Sequence, residues 1–237
     1  MQPFSILIGF GVLAGLILVA LRAPVKERLR YVDAAIMTLV GALLGSRIFT
    51  VGVNWAYYKD NLGQIFQVWT GGLSGIGALI GGVLTVLILS VWWKISLGVL
   101  ADALLPLAGT VAMAAWLGCW VDRCSYGPIS NAWWAIPARD EWGILSNRIP
   151  VQFLGALITL ILIWVIDRTA NRLPGRGISA ALGLFGLSAV IFGLSYLRID
   201  PTPVWNGLRL DAWGALGLMI FSSSIVVVLL LRWKLSK

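Results

Sequence analysis

Residues 68–82 read VWTGGLSGIGALIGG, and the apolar run that they open continues to Trp93. The Trp and Thr at its start suit a membrane interface. Glycines at positions 71, 72, 75, 77 and 81 crowd the first turns, although an interior glycine costs a helix about 1 kcal/mol relative to alanine. So many glycines indicate that a neighbouring helix or a ligand approaches the backbone closely. Gly77 and Gly81 have the spacing of small residues that lets two membrane helices touch.

Composition places the whole chain in a membrane. Of its 237 residues, 59% are hydrophobic and 12% are charged, and the mean hydropathy is +0.90. The apolar runs are continuous, which predicts transmembrane α-helices and not a β-barrel, whose strands alternate polar and apolar residues. The first run has no preceding basic region and no cleavage site of small residues, so it predicts a retained helix and not a signal peptide.

Seven segments are long enough to cross a hydrocarbon core of roughly 30 Å. The predicted spans are Phe4–Leu21, Asp33–Val53, Leu73–Trp93, Ser96–Leu117, Ile149–Ile166, Ile178–Tyr196 and Ala212–Leu231. The predicted fold class is therefore an all-α membrane protein, a bundle of seven transmembrane helices in a single domain over residues 1–237. We expect the aromatic segment 54–70 to lie on the membrane interface and residues 118–148 to form a long outer loop.

The distribution of basic residues predicts the orientation of the bundle. The formal net charge is +8, and 11 of the 18 Lys and Arg residues follow the first, third, fifth and seventh spans, whereas 6 follow the other three. The positive-inside rule then places the N-terminus outside and the C-terminus in the cytoplasm. In a membrane protein such a charge indicates contact with anionic lipid, and we expect no nucleic acid as a partner.

Ionisable side chains inside spans are candidates for function, because a charge in lipid costs at least about 2.5 kcal/mol. Arg47 lies in the outer half of the second span, where its guanidinium would hold a phosphate bidentately or pair with a helix end or a carboxylate. Asp102 and Pro106 lie in the fourth span. A carboxylate is favoured near the start of a helix, and an interior proline predicts a kink.

The two cysteines, Cys119 and Cys124, leave three interpretations open. They form a structural pair or disulfide in the outer loop, they are free apolar side chains, or one is a nucleophile whose pKa is lowered by Arg123. The chain has no histidine, which removes the commonest general base and the commonest metal ligand. The sequence therefore predicts neither a metal nor a cofactor.

The glycine-rich run resembles the signature of the prolipoprotein diacylglyceryl transferase family, in which Gly-Gly-x-Ser-x-His-Gly-Gly-Leu-Ile-Gly lines a phospholipid cavity. The matching residues are Gly71, Gly72, Ser74, Gly77, Leu79, Ile80 and Gly81. Ile76 stands at the histidine of the signature, and Ala78 at the second of its paired glycines. The resemblance implies a phospholipid site that includes Gly71, Gly72 and Ser74 but has no imidazole.

Two further blocks supply the arginines of this resemblance. The stretch from Gly41 to Arg47 resembles the family's Gly-Ala-x-x-Gly-x-Arg, whose arginine borders the lipid site. Residues 196–200 resemble the aromatic-x-Arg element that closes the sixth helix of the family. The match implies a catalytic role for Arg198, whereas the residues alone also fit an interfacial arginine that snorkels.

The outer loop carries the weakest part of the resemblance. It is similar to a Cys-bearing variant of the family's Gly-Arg-x-Gly-Asn-Phe motif, with matches at Gly118, Cys119, Cys124, Tyr126 and Gly127. Trp116 stands at the essential arginine of that motif, and Cys119 at its asparagine. The match implies that Tyr126 and Gly127 border the phospholipid site.

The start of the fifth span resembles a family block that reads His-Pro-Ser/Thr-Gln-Leu-Tyr-Glu. Pro150 and Gln152 match it, and Gln152 is implied to bind a headgroup. Ile149 stands at the histidine, Leu154 at the tyrosine and Gly155 at the glutamate.

The resemblance implies a transfer of diacylglyceryl from phosphatidylglycerol to the lipobox cysteine thiol of a preprolipoprotein, in the bacterial cytoplasmic (inner) membrane. Arg198 and Arg47 would hold the phosphate, and Tyr126 or the substrate itself would supply the base. Ile76, Trp116 and Ile149 replace groups of a kind that such chemistry needs. A second hypothesis is therefore an inactive relative that serves as a lipid-binding or structural subunit of a membrane complex. A third, a small-solute transporter, lacks paired discontinuous helices.

Overall fold

Seven long helices form the body of the molecule, whose computed structural model describes residues 3–68, 71–173 and 175–235. The helices are α1 Pro3–Arg22, α2 Arg28–Val53, α3 Trp55–Tyr58, α4 Gly75–Trp92, α5 Leu97–Val121, α6 Val151–Thr169, α7 Ile178–Ser195 and α8 Leu210–Leu235. Single 3-10 turns lie at Val25–Glu27, Leu62–Gln64 and Ala170–Arg172. All the α-helices except α3 are long and apolar enough to cross a membrane, which confirms the seven predicted spans. The chain is a multi-pass membrane protein.

Helix α2 is longer than the predicted second span. It begins at Arg28 and not at Asp33, because its first turns carry basic residues that a hydropathy criterion leaves out. Within segment 54–70, the described part contains α3 and one 3-10 turn, while Trp69 and Thr70, which were predicted to mark the interface, lie outside the described residues.

The start of α4 follows from two features of the glycine-rich run. Gly71 and Gly72 have φ angles of 91° and 68°, a left-handed conformation that L side chains rarely adopt. Ser74 then caps the helix, because its hydroxyl oxygen accepts a hydrogen bond of 3.2 Å from the backbone N–H of Gly77. The paired glycines therefore turn the chain, and the serine begins the helix.

Helices α2 and α4 pack backbone against backbone. A Cβ atom at Gly77 would lie 2.6 Å from the carbonyl oxygen of Gly45, and one at Gly81 would lie 2.3 Å from that of Gly41. This contact confirms that the glycines allow close approach of a neighbouring helix, as their spacing predicts. Close pairs also form between α1 and α5 and between α7 and α8.

Asp102 joins α5 to α7. Its two carboxylate oxygens accept hydrogen bonds from the backbone N–H groups of Gly177, at 2.6 Å, and Ala180, at 2.8 Å. Those N–H groups belong to the first turn of α7, so the carboxylate caps the N-terminus of a different helix from the one that carries it. The position near a helix start was predicted correctly, but the helix that it stabilises was not.

Most of the described structure outside the long helices lies at one end of the bundle, where α2, α5 and α7 finish; we call this the loop-rich end. Its described residues are 54–68, 71–74, 122–150 and 196–209. Segment 122–150 includes a hairpin in which β1, Ile136–Arg139, pairs with β2, Leu145–Arg148. Segment 196–209 includes a smaller hairpin of β3, Val204–Trp205, and β4, Leu208–Arg209. A backbone hydrogen bond from Ile199 to Tyr126 joins these two segments.

Candidate functional site

Arg47 anchors a loop and has no donor left for another ligand. The side chain is 5% exposed, and its Nε donates to the carbonyl of Ile65 at 2.9 Å. Nη1 donates to Gly71 and Gly72, and Nη2 to Gln64 and Gln67. These five bonds match the five N–H groups of a guanidinium. The predicted phosphate contact would therefore require these five carbonyl groups to move away, and the observed role of Arg47 is to hold them on α2.

Ile76 fills the position where the resemblance implies a histidine. It is 1% exposed and packs in an apolar cluster with Ala215 and Leu218 of α8. Its Cγ2 lies 2.5 Å from the place that a Cβ of Gly214 would occupy, so the two helices meet closely at this point. The position where the resemblance implies a polar side chain thus serves helix packing in this chain.

Trp116 and Gly155 are in direct contact. The Trp116 ring would lie 2.3 Å from a Cβ atom at Gly155, and the tryptophan is 8% exposed within a cluster that includes Val151 and Leu194. The resemblance implies an arginine at position 116 and a glutamate at position 155. The resemblance thus implies two opposite charges at these positions. In this chain the Trp116 ring lies on Gly155 instead.

The segment between α5 and α6 is built around a buried ion pair that the sequence did not reveal. Arg148 donates from Nη2 to Asp140 Oδ2 at 3.0 Å, and both side chains are buried. The guanidinium lies over the ring of Tyr126, with its carbon 4.9 Å from the ring centroid. Nη1 donates to the carbonyl of Gly127 at 3.4 Å. Tyr126 and Gly127, which were predicted to bind phospholipid, are therefore held beneath Arg148.

Gln152 lies next to this group and is also buried. Its Nε2 donates to the carbonyl of Cys124 at 3.0 Å, and Cys124 is joined to Cys119 by a disulfide. Arg123 and Ser125, which flank Cys124, have φ angles of 63° and 54°. The disulfide and the Gln152 hydrogen bond thus fix a tight loop at the end of α5.

Two polar atoms in this part of the molecule are buried without a hydrogen-bond partner among the described residues. They are Nε of Arg148, a donor, and Oε1 of Gln152, an acceptor. Buried polar atoms usually find a partner in protein, water or ligand. Within the described chain, these atoms make the Arg148–Gln152 region the best candidate for binding a polar group.

Arg198 belongs to a second ionic cluster, formed with Asp200, Arg209 and Asp211. It donates from Nε and Nη2 to the two oxygens of Asp200, at 2.9 and 2.7 Å, and from Nη1 to Asp211 Oδ2 at 2.9 Å. Arg209 contacts both carboxylates as well, at 3.3 and 3.4 Å. The cluster has two positive and two negative charges, so it presents no net charge to a phosphate.

Electrostatics keep Arg198 protonated. Burial of the guanidinium opposes its charge, but hydrogen bonds and charges from Asp200 and Asp211 outweigh burial and raise the pKa of Arg198 above its ordinary value. The sequence indicated the arginine and not its three partners. Asp200 lies in the bend after α7, Arg209 in β4 and Asp211 in the first turn of α8, and the sequence does not specify how these elements meet.

The structure gathers some of the predicted residues and separates others. Tyr126, Gly127, Gln152 and the disulfide form one group, to which the Ile199–Tyr126 hydrogen bond joins the Arg198 cluster. Arg47, Gly71, Gly72 and Ser74 form another group around the α2–α4 contact. Ile149 packs with the Trp116 cluster.

Two apolar grooves lie between neighbouring helices, on the sides of the bundle. One of about 550 Å³ is lined by α6 and α7, including Leu162 and Gly193, and one of about 540 Å³ by α7 and α8, including Phe185 and Met219. Neither groove is lined by a predicted headgroup-binding residue. They suit acyl chains or helices and not a polar headgroup.

Comparison with known sequences gives a consistent result. A sequence model described as prolipoprotein diacylglyceryl transferase matches residues 1–229. The phosphatidylglycerol–prolipoprotein diacylglyceryl transferase of Streptococcus suis is 28% identical over an aligned length of 239 residues. The matched region covers 95% of this chain and 86% of that protein. The protein of the same name from Thermosynechococcus vestitus is 26% identical over 200 residues, covering 77% of this chain and 74% of the relative. A local match to the Listeria welshimeri protein of that name is 40% identical over 89 residues, 38% of this chain and 31% of the relative.

The family model spans this chain almost from end to end, which confirms the resemblance carried by the glycine-rich run and the blocks around it. The chain belongs to the prolipoprotein diacylglyceryl transferase family.

Proposed function

We propose that this protein transfers diacylglyceryl from phosphatidylglycerol to the cysteine thiol of a preprolipoprotein, in the bacterial cytoplasmic membrane. The observation that carries the proposal is the family match over residues 1–229, in a chain whose described residues form seven helices that are long and apolar enough to span a membrane. Relatives that align along most of the chain bear the name of this activity and of phosphatidylglycerol as donor.

The reaction defines what the site has to supply. The thiol sulfur forms a bond to a glyceryl carbon, the bond from that carbon to the phosphate oxygen breaks, and glycerol phosphate leaves with the bonding electrons. The thiol proton must pass to a base, and cationic or N–H donors must stabilise the leaving phosphate. Arg148 and Gln152 are our candidates for the phosphate side, and Tyr126 beneath Arg148 is our candidate for the proton acceptor.

The orientation belongs to the same proposal. We place the N-terminus outside and the C-terminus in the cytoplasm, so that the loop-rich end faces outward, where an exported lipoprotein precursor would meet it. The unequal distribution of Lys and Arg supports this orientation. A disulfide in that end also suits an oxidising compartment.

The test is transfer of labelled diacylglyceryl from phosphatidylglycerol to a lipobox peptide by the purified protein in lipid. The informative pair of variants is Arg198→Ala and Arg209→Ala, because both arginines contact the same two carboxylates. If Arg198 acts on substrate, its variant loses transfer while the Arg209 variant, matched in thermal stability, retains it. Equal effects of the two variants would assign Arg198 to structure only.

A second candidate function is a non-catalytic subunit that binds lipid or supports a membrane complex. One specific observation favours it: Ile76 and Trp116 are buried in apolar clusters at the positions where the resemblance implies polar groups. The names of the relatives do not favour it. No transfer by a folded protein that still copurifies with phosphatidylglycerol would replace the first proposal by this one.

A further inference from the structure

The hairpin segment, residues 129–148, exposes large aromatic side chains. Trp133 is 95% exposed and Trp142 is 76% exposed, although tryptophan is usually well buried in folded proteins. Ile144 and Leu145, on the same turn and strand, are exposed as well. Apolar groups gathered in this way indicate a surface that meets something other than water.

The exposure does not come from a loose loop. Four residue pairs join β1 to β2, and Ile129 forms a further bridge with Arg148. The turn is closed by a hydrogen bond from the Ile144 N–H to Asp140 Oδ1 at 2.8 Å, and Asp140 is itself paired with buried Arg148. The hairpin is therefore a fixed element that presents Trp133 and Trp142 on its outside.

The hairpin lies at the level where membrane-spanning helices end. The indole N–H of Trp120, in the last turn of α5, donates to the carbonyl of Pro137 in β1 at 3.4 Å. The Trp120 ring also packs edge-on against Phe153, in the first turn of α6, with ring centroids 5.2 Å apart. Trp120 and Phe153 are both partly exposed on the outer surface of the spans. Strand β1 of the hairpin thus contacts Trp120, which is itself partly exposed on the surface of the spans.

We propose that the hairpin segment docks on the membrane surface, with Trp133 and Trp142 inserted at the boundary between headgroups and acyl chains. Tryptophan favours this boundary, because its ring is apolar and its N–H is polar. The charged residues of the hairpin are compatible with docking on a membrane surface. Asp140 and Arg148 are paired and buried, and Arg139 and Glu141 are exposed beside the indoles. The inference does not depend on the proposed transfer reaction.

The test uses a fluorescent thiol label at each indole position in turn. Cys119 and Cys124 are joined to each other, so a cysteine introduced as Trp133→Cys or Trp142→Cys is the free thiol available for labelling. The labelled protein is placed in phosphatidylglycerol-containing nanodiscs, and quenching is measured with aqueous iodide and with lipids that carry a nitroxide near the headgroup. Docking predicts blue-shifted emission and strong quenching by the nitroxide lipid but weak quenching by iodide.

Glu141→Cys is the matched control, since Glu141 is exposed on the same turn as Trp142 but carries a charge. Its label should be quenched by iodide more strongly than either indole-position label. Iodide quenching that is equal at all three positions, without an effect of the nitroxide lipid, would overturn the proposal and leave the surface to a protein partner. Each variant must elute as a single species, so that misfolding is not read as exposure.

Discussion

The arginines near the loop-rich end share one property at the scale of single residues: each is engaged by the protein itself. Arg47 donates to five backbone carbonyls, Arg148 pairs with Asp140, and Arg198 pairs with Asp200 and Asp211. A guanidinium with fixed partners is rigid, which favours positioning, but it has few donors left for a substrate. Nε of Arg148 has no hydrogen-bond partner among the described residues, so it is the arginine donor that is available to a bound ligand.

The contact between Trp116 and Gly155 predicts that substitutions at these two residues have coupled effects on stability. Trp116→Arg alone buries an unpaired charge, and Gly155→Glu alone forces a side chain into the Trp116 ring. Each should lower the free energy of unfolding by about 3 kcal/mol or more. The double variant restores a pair of opposite charges, so it should be more stable than the sum of the single effects by about 2 kcal/mol.

Denaturant unfolding in detergent micelles, followed by circular dichroism, measures this coupling. Trp120→Arg is the control partner for Gly155→Glu, because Trp120 lies near the same end of α5 but is exposed on its surface. If Trp120→Arg has the same coupling energy with Gly155→Glu as Trp116→Arg has, the coupling does not arise from the contact between Trp116 and Gly155.

At the scale of elements, the α2–α4 pair depends on the absence of side chains at particular glycines. Gly81→Ala should separate the two helices, because its Cβ would lie 2.3 Å from the carbonyl oxygen of Gly41. Gly82→Ala should be tolerated, since the nearest atom to its Cβ is Cγ2 of Thr38 at 3.7 Å, an ordinary van der Waals distance. We expect the first substitution to lower stability by about 1–3 kcal/mol and the second to leave it nearly unchanged or slightly raised.

Thermal unfolding of the two alanine variants, compared with the parent under the same conditions, measures the difference. The two sites are neighbours on one helix, so helix propensity changes equally in both. A similar loss at both positions would mean that α4 does not depend on close contact with α2.

For the molecule as a whole, we predict which end of the bundle faces the outside of the cell. Cysteines introduced at exposed sites of opposite ends, such as Lys26→Cys and Asn206→Cys, should react differently with a membrane-impermeant maleimide applied to intact cells. The proposed orientation predicts labelling of the Asn206 variant only, since the positive-inside rule places Lys26 in the cytoplasm. Labelling of the Lys26 variant alone would reverse the orientation, and the native cysteines do not interfere because they are bonded.

The sequence allowed prediction of features that depend on local composition. The seven spans follow from length and hydropathy, and the close packing at Gly77 and Gly81 follows from their spacing. Partners brought together by tertiary structure were not predictable in this way. Asp102 caps a helix whose first bonded residue is 75 positions away, and the pairing of Arg148 with Asp140 depends on the register of a hairpin. The five carbonyls around Arg47 come from a short 3-10 turn and the irregular backbone after it, which give no periodic signal in the sequence.

The ring of Trp116 lying on Gly155 also constrains the evolutionary history of this chain. A lineage that starts from the present sequence and acquires an arginine at position 116 passes through a form with an unpaired buried charge. One that first acquires a glutamate at position 155 passes through a form with a steric clash. Either intermediate is poorly stable, so selection for folding removes it before the second mutation arrives. Replacement of either residue alone is therefore disfavoured, and we expect descendants of this protein to retain the tryptophan and the glycine together.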